Sequence, residues 1–202
     1  MIQNNIVPNR NTPACECVFS VIDFETTGSV SGWPVEPWQV GIVPLQKGQV
    51  LAESAFESLM RVEDRPFNPQ APGRHAQLRE ELRVAPVPGE LWPQLTELLC
   101  GRLLVAHNIG TERSVLSRIA PLHRFGPWVD TLSLTRKYYP GLESKALDVV
   151  ACELFLTERI EMLCPGRAAH DALYDAFACA VLLEHFLALP GWEHVTLGSL
   201  LC

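Results

Sequence analysis

The sequence predicts an α/β domain: a mixed sheet, in which an antiparallel three-strand meander is extended by parallel strands, with flanking helices. Three observations predict it. Three extended apolar segments follow one another before residue 63 with only turns between them, and strands in meander order pair antiparallel. Beyond residue 90, short apolar runs alternate with segments of helical spacing, which adds strands to the sheet and helices to its faces. The 202 residues suffice for one full core, and 48% hydrophobic against 19% charged residues exclude global disorder.

The elements follow in order. Residues 1–16 are polar, contain Pro8 and Pro13, and are expected to form a loose N-terminal arm ahead of a single domain over 17–202. Cys17 to Phe24 reads as a central strand, and Gly28 to Pro37, with its glycine, proline and serine, as a loop. Trp38 to Leu45 is a second strand, Lys47-Gly48 a hairpin turn, and Gln49 to Val62 a third strand. Five prolines between 64 and 89 predict an irregular stretch with one short helical piece at His75 to Leu82. Helical spacing returns at Leu91 to Leu99, where Gln94 to Leu99 reads as part of an amphipathic helix rather than a clamp-binding peptide. Leu103 to Ala106 is a short buried strand, Thr111 to Ile119 a helix, Trp128 to Leu132 a strand and Leu132 to Tyr138 a helix. Lys145 to Phe155 and a long amphipathic Asp171 to Leu189 complete the set.

Charge and cysteines narrow the function. A net charge of -7 argues against coating nucleic acid through bulk electrostatics. It leaves room for an enzyme that grips a chain end, because bound metal ions reverse the local sign of an acidic site. The seven cysteines lack metal-site spacing and are odd in number, which predicts a reducing, cytoplasmic compartment; Cys152 and Cys179 read as core residues. The N-terminus does not read as a signal peptide, and no apolar run is long enough to predict a membrane span.

The chemistry concentrates at element ends. Val18-Phe19-Ser20-Val21-Ile22-Asp23-Phe24-Glu25-Thr26-Thr27-Gly28 is an apolar strand ending in two acids at i, i+2, which point to one face. Two charges roughly 5 Å apart repel by about 3 kcal/mol at an effective dielectric of about 20, so a proton, a cationic side chain or a metal ion must offset them. The Leu103-Leu104-Val105-Ala106-His107-Asn108 segment leads to Glu112 in the first turn of a helix. His170 precedes the last helix and Asp175 lies in its first turns, five residues on, with apolar Ala172, Ala176 and Cys179 around it. Strand ends of open α/β sheets are where ligands bind, so these positions can converge. Asp171 reads as a helix N-terminal acid, His107 and Asn108 as anchors of a strand end, and Asp148 as structural. Arg113, Lys137, Lys145 and Arg167 fall near the expected pocket.

The order D-F-E-T-T-G, L-L-V-A-H-N, D-T-L, L-D-V-V-A and H-x-x-x-x-D resembles the DEDDh 3′–5′ exonucleases, which include the proofreading epsilon subunit of bacterial replicative DNA polymerase and RNA-trimming relatives. The resemblance runs from about Phe19 to Leu189 and implies a ribonuclease-H-like fold with two divalent ions, Mg²⁺ or Mn²⁺. It implies Asp23, Glu25, Glu112 and Asp175 as ligands and His170 as the general base, and Thr26, Thr27, Gly28, His75 and Asn108 as substrate contacts. The substrate implied is the 3′ end of single-stranded nucleic acid, DNA favoured, releasing nucleoside 5′-monophosphates; a polymerase is a further partner it allows. A histidine suits the proton transfer because its ordinary pKa lies near 6.5, and paired metals suit in-line attack on a phosphodiester.

Four positions depart from the family pattern. Thr111 and Glu112 stand where the family has phenylalanine and aspartate, Ala76 follows His75 where a glycine is usual, and Gln39 replaces a glutamate. Glutamate reaches one methylene further, which bears on Mg²⁺ because that ion demands near-ideal octahedral geometry. The rival expectation is therefore a module of the same fold that binds nucleic-acid ends or a polymerase with weakened catalysis; an exoribonuclease is the other alternative. The region ends without the epsilon subunit's extra tail, which suggests a stand-alone or loosely associated enzyme, and oligomeric state is left open.

Overall fold

A computed structural model describes residues 7–202. Within it, six strands form one mixed sheet in the order β3-β2-β1-β5-β6, with β4 also paired to β2. The strands are β1 (Val18–Thr26), β2 (Pro37–Gln46), β3 (Gln49–Val50), β4 (Phe56–Leu59), β5 (Leu103–Ala106) and β6 (Trp128–Asp130). β1 runs antiparallel to β2 and parallel to β5, and β5 runs parallel to β6. The helices are α1 (Arg79–Val84), α2 (Pro88–Leu99), α3 (Gly110–Ile119), α4 (Thr131–Tyr138), α5 (Leu147–Glu153), α6 (Thr157–Leu163), α7 (Ala172–Leu187) and α8 (Leu197–Leu200). The expected mixed α/β sheet is the fold observed.

The two faces of β1 enter two different cores. Phe19 and Val21 join Val43, Leu45, Val105 and most of α7; Ile22 and Phe24 join Ile42, Leu104, α2 and α3. Side chains alternate along a strand, so Asp23 and Glu25 continue the Phe19–Val21 row and face α7. α7 reaches that face because β2 carries Gly41 opposite Asp23. A Cβ at Gly41 would lie 2.3 Å from the Ala172 carbonyl oxygen and 2.5 Å from Leu173 Cα, so only glycine lets the first turn of α7 rest on the strand.

Several expectations are corrected. The third strand does not run unbroken from Gln49 to Val62. β3 pairs Val50 with Leu45 and β4 pairs Phe56 with Ile42, so five residues stand opposite Val43 and Pro44. Pro44 has no amide hydrogen to continue a ladder, and Ala52–Ser54 coil outward as a 3-10 turn. α7 is not amphipathic: eleven of its sixteen residues are buried, because α5, α6 and the Trp192 turn cover its outer side. Cys179 is a core residue but Cys152 is exposed, since the short α5 buries Val150 and Ala151 and turns Cys152 outward. The helical piece expected at His75 begins only at Arg79, because Arg74 and His75 are engaged in side-chain contacts of the preceding loop. β6 ends at Asp130 rather than Leu132, where the Asp130 side chain caps α4 by accepting from the Leu132 amide. α6 was not foreseen; Phe155, at φ 58, separates it from α5.

In the segment expected as an arm, Ala14 donates to the Val195 carbonyl at 2.8 Å, while Thr12 and Arg10 accept from Leu197 and Gly198 at 2.8 and 2.7 Å. Residues 1–6 of that segment lie outside the described residues. Among the described residues no helix is long and apolar enough to cross a membrane.

Replacing Gly41 by alanine forces the new methyl against backbone and is expected to cost about 3 kcal/mol or more, the upper range for overpacking. In a chain of this size that lowers the melting temperature by about 6–12 °C. Circular dichroism melts of G41A beside wild type measure it, and an unchanged melting temperature would refute the seating of α7 on Gly41.

Candidate active site

The end of β1, the first turn of α3 and the first turn of α7 meet in one acidic cluster. One ligand atom each of Glu25, His170 and Asp175 lie within 4.8 Å of one another, the spacing of groups that share a metal ion. Burial raises the Asp23 carboxyl well above the carboxylate range, and the charges of Asp175, Glu112 and Glu25 raise it further. Burial, then Asp175, pushes Glu25 up to about 8. Burial lifts Glu112 to about 8 against the opposing pull of backbone amides, among them that of Phe24. Asp175 is raised to about 6 by burial, offset in part by the His170 amide. Glu112 is 3% exposed, and its Oε2 is buried without a hydrogen-bond partner. Buried anionic oxygens held this close require protons or a cation, and an all-oxygen set with one imidazole beside it suits Mg²⁺ or Mn²⁺.

Each acid is placed by a separate device. Asp23 and Glu25 are fixed by strand pairing, opposite Gly41 and Gln39. Asp175 is placed by α7, whose N-cap is Asp171: its carboxylate accepts from the Leu173 and Tyr174 amides. Asp171 is also the centre of an ion network. Arg167 donates to Asp171 Oδ1 at 2.8 Å and to both Glu57 oxygens at 2.6 Å, and Arg74 donates to Asp171 Oδ2 at 2.8 Å. Gln39 closes the network: its amide nitrogen donates to Glu57, and its oxygen accepts from the Ala172 amide at 3.2 Å. Burial alone would raise Asp171, but the Arg167 hydrogen bond and charge outweigh it and hold the carboxyl below its usual range. Arg167 is thus committed to ion pairs within the fold, and the Lys145 ammonium donates to the Pro140 and Leu142 carbonyls.

His170 sits directly before that cap at φ 66, exposed, with its amide donating to Asp175 Oδ2 at 3.0 Å. A left-handed backbone is uncommon for histidine, and here it turns the ring to the cluster's open side. Gly73 comes against the same place: a Cβ there would lie 3.1 Å from the His170 carbonyl oxygen and 3.4 Å from Glu25 Oε2.

Glu112 depends on the loop before α3. His107 is held at both ring nitrogens, Nδ1 by the Thr131 hydroxyl at 3.0 Å and Nε2 by the Lys145 carbonyl at 2.8 Å. A carbonyl can only accept, so Nε2 carries the proton. Asn108, exposed and at φ 78, donates its amide to Asp130 Oδ1 at 2.9 Å. The Asp130 carboxylate therefore caps α4 and positions the loop that starts α3.

The expected substrate contacts divide. Thr26 directly follows Glu25, with the Trp38 indole donating to its carbonyl at 3.2 Å, and Gly28 is packed on Asn68. Thr27 does not face substrate: it is 0% exposed, and its hydroxyl accepts from the Glu36 amide at 3.1 Å, which fastens the loop between β1 and β2. His75 is half-buried, stacked on Phe67 at 4.6 Å and edge-on to Trp38 at 6.1 Å, so its ring joins the wall beside Glu25. Gly73, Arg74 and Glu57 carried no signal in the sequence, and Asp130 entered only as the first residue of the D-T-L motif, without a role. Its local signal was an aspartate two residues before a helical leucine.

The family model for exonucleases of the RNase_T type matches residues 20–183, which includes every residue of this cluster. The chain belongs to that exonuclease family. It is 29% identical over 175 residues to Exodeoxyribonuclease 10 of Escherichia coli, covering 85% of this chain and 70% of that protein. It is 32% identical over 138 residues to the DNA polymerase III subunit epsilon of Salmonella typhimurium, covering 64% of this chain and 53% of that protein. Among solved structures, exonuclease X in complex with 5′ overhanging duplex DNA superposes with a TM-score of 0.63 at 26% identity, covering 90% of this chain and 98% of that one. The DEDDh resemblance and the ribonuclease-H-like fold are borne out.

Asp171→Asn keeps a good N-cap but removes the charge that Arg167 and Arg74 bind. The variant is expected to lose about 1.5–3 kcal/mol at pH 7, the range for hydrogen bonds to charged groups. Because the folded carboxyl titrates below its unfolded value, that difference is full above about pH 4 and shrinks as pH falls through the folded pKa. Urea melts of both proteins between pH 7 and 3 measure it; a difference independent of pH would contradict the ionic role.

Proposed function

We propose that this exonuclease removes nucleotides from the 3′ end of DNA and releases nucleoside 5′-monophosphates, with divalent cations held by Asp23, Glu25, Glu112 and Asp175. The observation that carries the reading is the convergence of four carboxylates with raised affinity for protons, Glu25 and Glu112 buried and Asp23 and Asp175 half-buried, beside an accessible histidine. The partnerless Oε2 of Glu112 supports a ligand role for that residue despite its extra methylene. Two such cations, Mg²⁺ or Mn²⁺, supply charge neutralisation to the attacking and departing oxygens of the phosphodiester.

The chain's own residues do the rest. His170 takes the proton of the attacking water on a ring nitrogen, and its exposed position lets that proton pass to solvent. Asp175, accepting from the His170 amide, holds the base beside the carboxylates. Thr26 and the backbone at Gly28 seat the terminal sugar, Asn108 borders the strand from the α3 side, and His75 with Gly73 close the wall. The likeness to Exodeoxyribonuclease 10 supports DNA over RNA. The DNA of the exonuclease X complex, with its 5′ overhang, has recessed 3′ ends, which supports frayed as well as single-stranded ends as substrate.

The test is hydrolysis of 5′-labelled DNA and RNA oligonucleotides with Mg²⁺, Mn²⁺ or chelator, beside Asp23→Ala. A metal-dependent ladder shortening from the 3′ end is expected on DNA. The variant should lose more than the 10–100-fold typical for loss of an outer-shell partner. A ladder only on RNA would make it an exoribonuclease, and none with either metal would favour an end-binding module.

Protons and cations compete for the same oxygens. Groups with raised folded pKa values withdraw stability from the metal-free protein as pH climbs above about 4, where the unfolded carboxyls ionise, until it passes about 6 for Asp175 and about 8 for Glu25 and Glu112. Saturating Mn²⁺ is therefore expected to raise the melting temperature more at pH 8 than at pH 6. An increment that is equal at both values, or larger at pH 6, would argue against carboxylate ligation.

A further inference from the structure

An open cleft of about 1040 Å³ lies between the β1–β2 loop, the segment after β4, the end of α1 and the outer turns of α3. That exceeds the about 300–1,000 Å³ of pockets for one drug-sized molecule. Its floor includes Val115 and Ile119, and Arg61, Arg83 and Arg118 line it, as do Glu63 and Asp64. Trp33 stands at one side, 48% exposed despite its size.

Trp33 is held, not loose. The Arg65 guanidinium lies 5.4 Å from its ring centroid. Arg65 is itself fixed: its side chain is 4% exposed, pairs with Glu36 at 2.8 Å and donates to the Pro34 carbonyl. Thr27 fastens the same loop from behind through Glu36. The loop thus presents a preset aromatic surface to the cleft, with one arginine already stacked against it.

The cleft and the cluster share α3. Glu112 points into the cluster, and Val115 and Ile119, three and seven residues on, lie on the same side of the helix. At 1.5 Å per residue Ile119 is about 10 Å beyond Glu112, about three nucleotides at 3.4 Å per stacked nucleotide. A strand whose 3′ end lay at Glu112 and that followed this side of α3 would enter the cleft. Bases have π faces for Trp33, and phosphates suit Arg61 and Arg118, which are exposed.

We infer that the cleft beside Trp33 is a second DNA-binding surface, where Trp33 stacks on a base and Arg61 and Arg118 take phosphates upstream of the cleaved end. The assignment rests on the exonuclease reading above. It makes the enzyme length-sensitive: a trinucleotide barely reaches the cleft, whereas a dodecamer fills it.

Steady-state cleavage of a single-stranded DNA trimer and dodecamer by wild type, Trp33→Ala and Arg118→Ala tests this. Wild type is expected to show a lower KM for the dodecamer. Trp33→Ala should raise that KM about 5- to 150-fold, the worth of one stacked base, while the trimer KM moves far less. Arg118→Ala, an exposed helix position that does not endanger folding, should flatten the salt dependence of the dodecamer KM by about 0.7 in the log–log slope. Equal KM values for the two lengths in wild type, or variants that keep the full length dependence, would overturn the cleft assignment while leaving the exonuclease intact. No cleavage of either length by wild type overturns the nuclease reading instead, and the cleft assignment with it.

Discussion

Four carboxylates, two buried and two half-buried, crowd together at the end of β1, and the rest of the fold is arranged around that repulsion. Asp23, Glu25, Glu112 and Asp175 each hold protons more tightly than an ordinary side chain, burial being the leading cause in every case. Such a cluster is unfavourable in isolation and persists only because more rigid structure over-determines it. Two acids ride on a strand in the middle of the sheet, and two on helices whose first turns are capped or seated independently of the cluster.

The supports are themselves charged, yet behave oppositely. Asp171 is as buried as Glu112, but it accepts from two arginines and two helix amides, and its carboxyl is held below its ordinary range. The contrast between the two acids is one of partners, not of depth. Where the chain supplies cations, the acid is tied into the fold; where it supplies none, as at Glu112 Oε2, a buried oxygen is left without a partner. Arg167, which spans Glu57 and Asp171, ties the loop that carries His170 to the edge of the sheet. The general-base candidate is thus held from both sides in sequence.

The sheet and the acidic residues were legible because they follow local rules. Alternation in β1 put Asp23 and Glu25 on one face, and the spacing from Ala106 to Glu112 put an acid in a helix's first turn. What was not legible arises from long-range contact. Nothing local marks Gly41 as the seat of α7, because the clash that demands glycine comes from Ala172, 131 positions later. Thr27 reads as a substrate contact because it stands in the D-F-E-T-T-G motif, but the register shift after Glu25 leaves its hydroxyl turned inward. The broken third strand was hidden by hydrophobic residues that fit either an unbroken strand or two short ones. The missing discriminator was Pro44 on the partner strand. α7 read as amphipathic because sequence periodicity shows the face turned to the sheet but not the helices that later cover the other side.

The pairing of Arg10–Ala14 with Val195–Gly198 has a mechanical consequence. The two segments run antiparallel, with Pro13 opposite Thr196, so the chain enters and leaves this pairing on the same side. Tension applied at Arg10 and Gly198 would load these hydrogen bonds one after another, as in a zipper, instead of all together in shear. This seam therefore yields at low force, and pulling at those two points strips it away before load reaches β1 and the acids at its end.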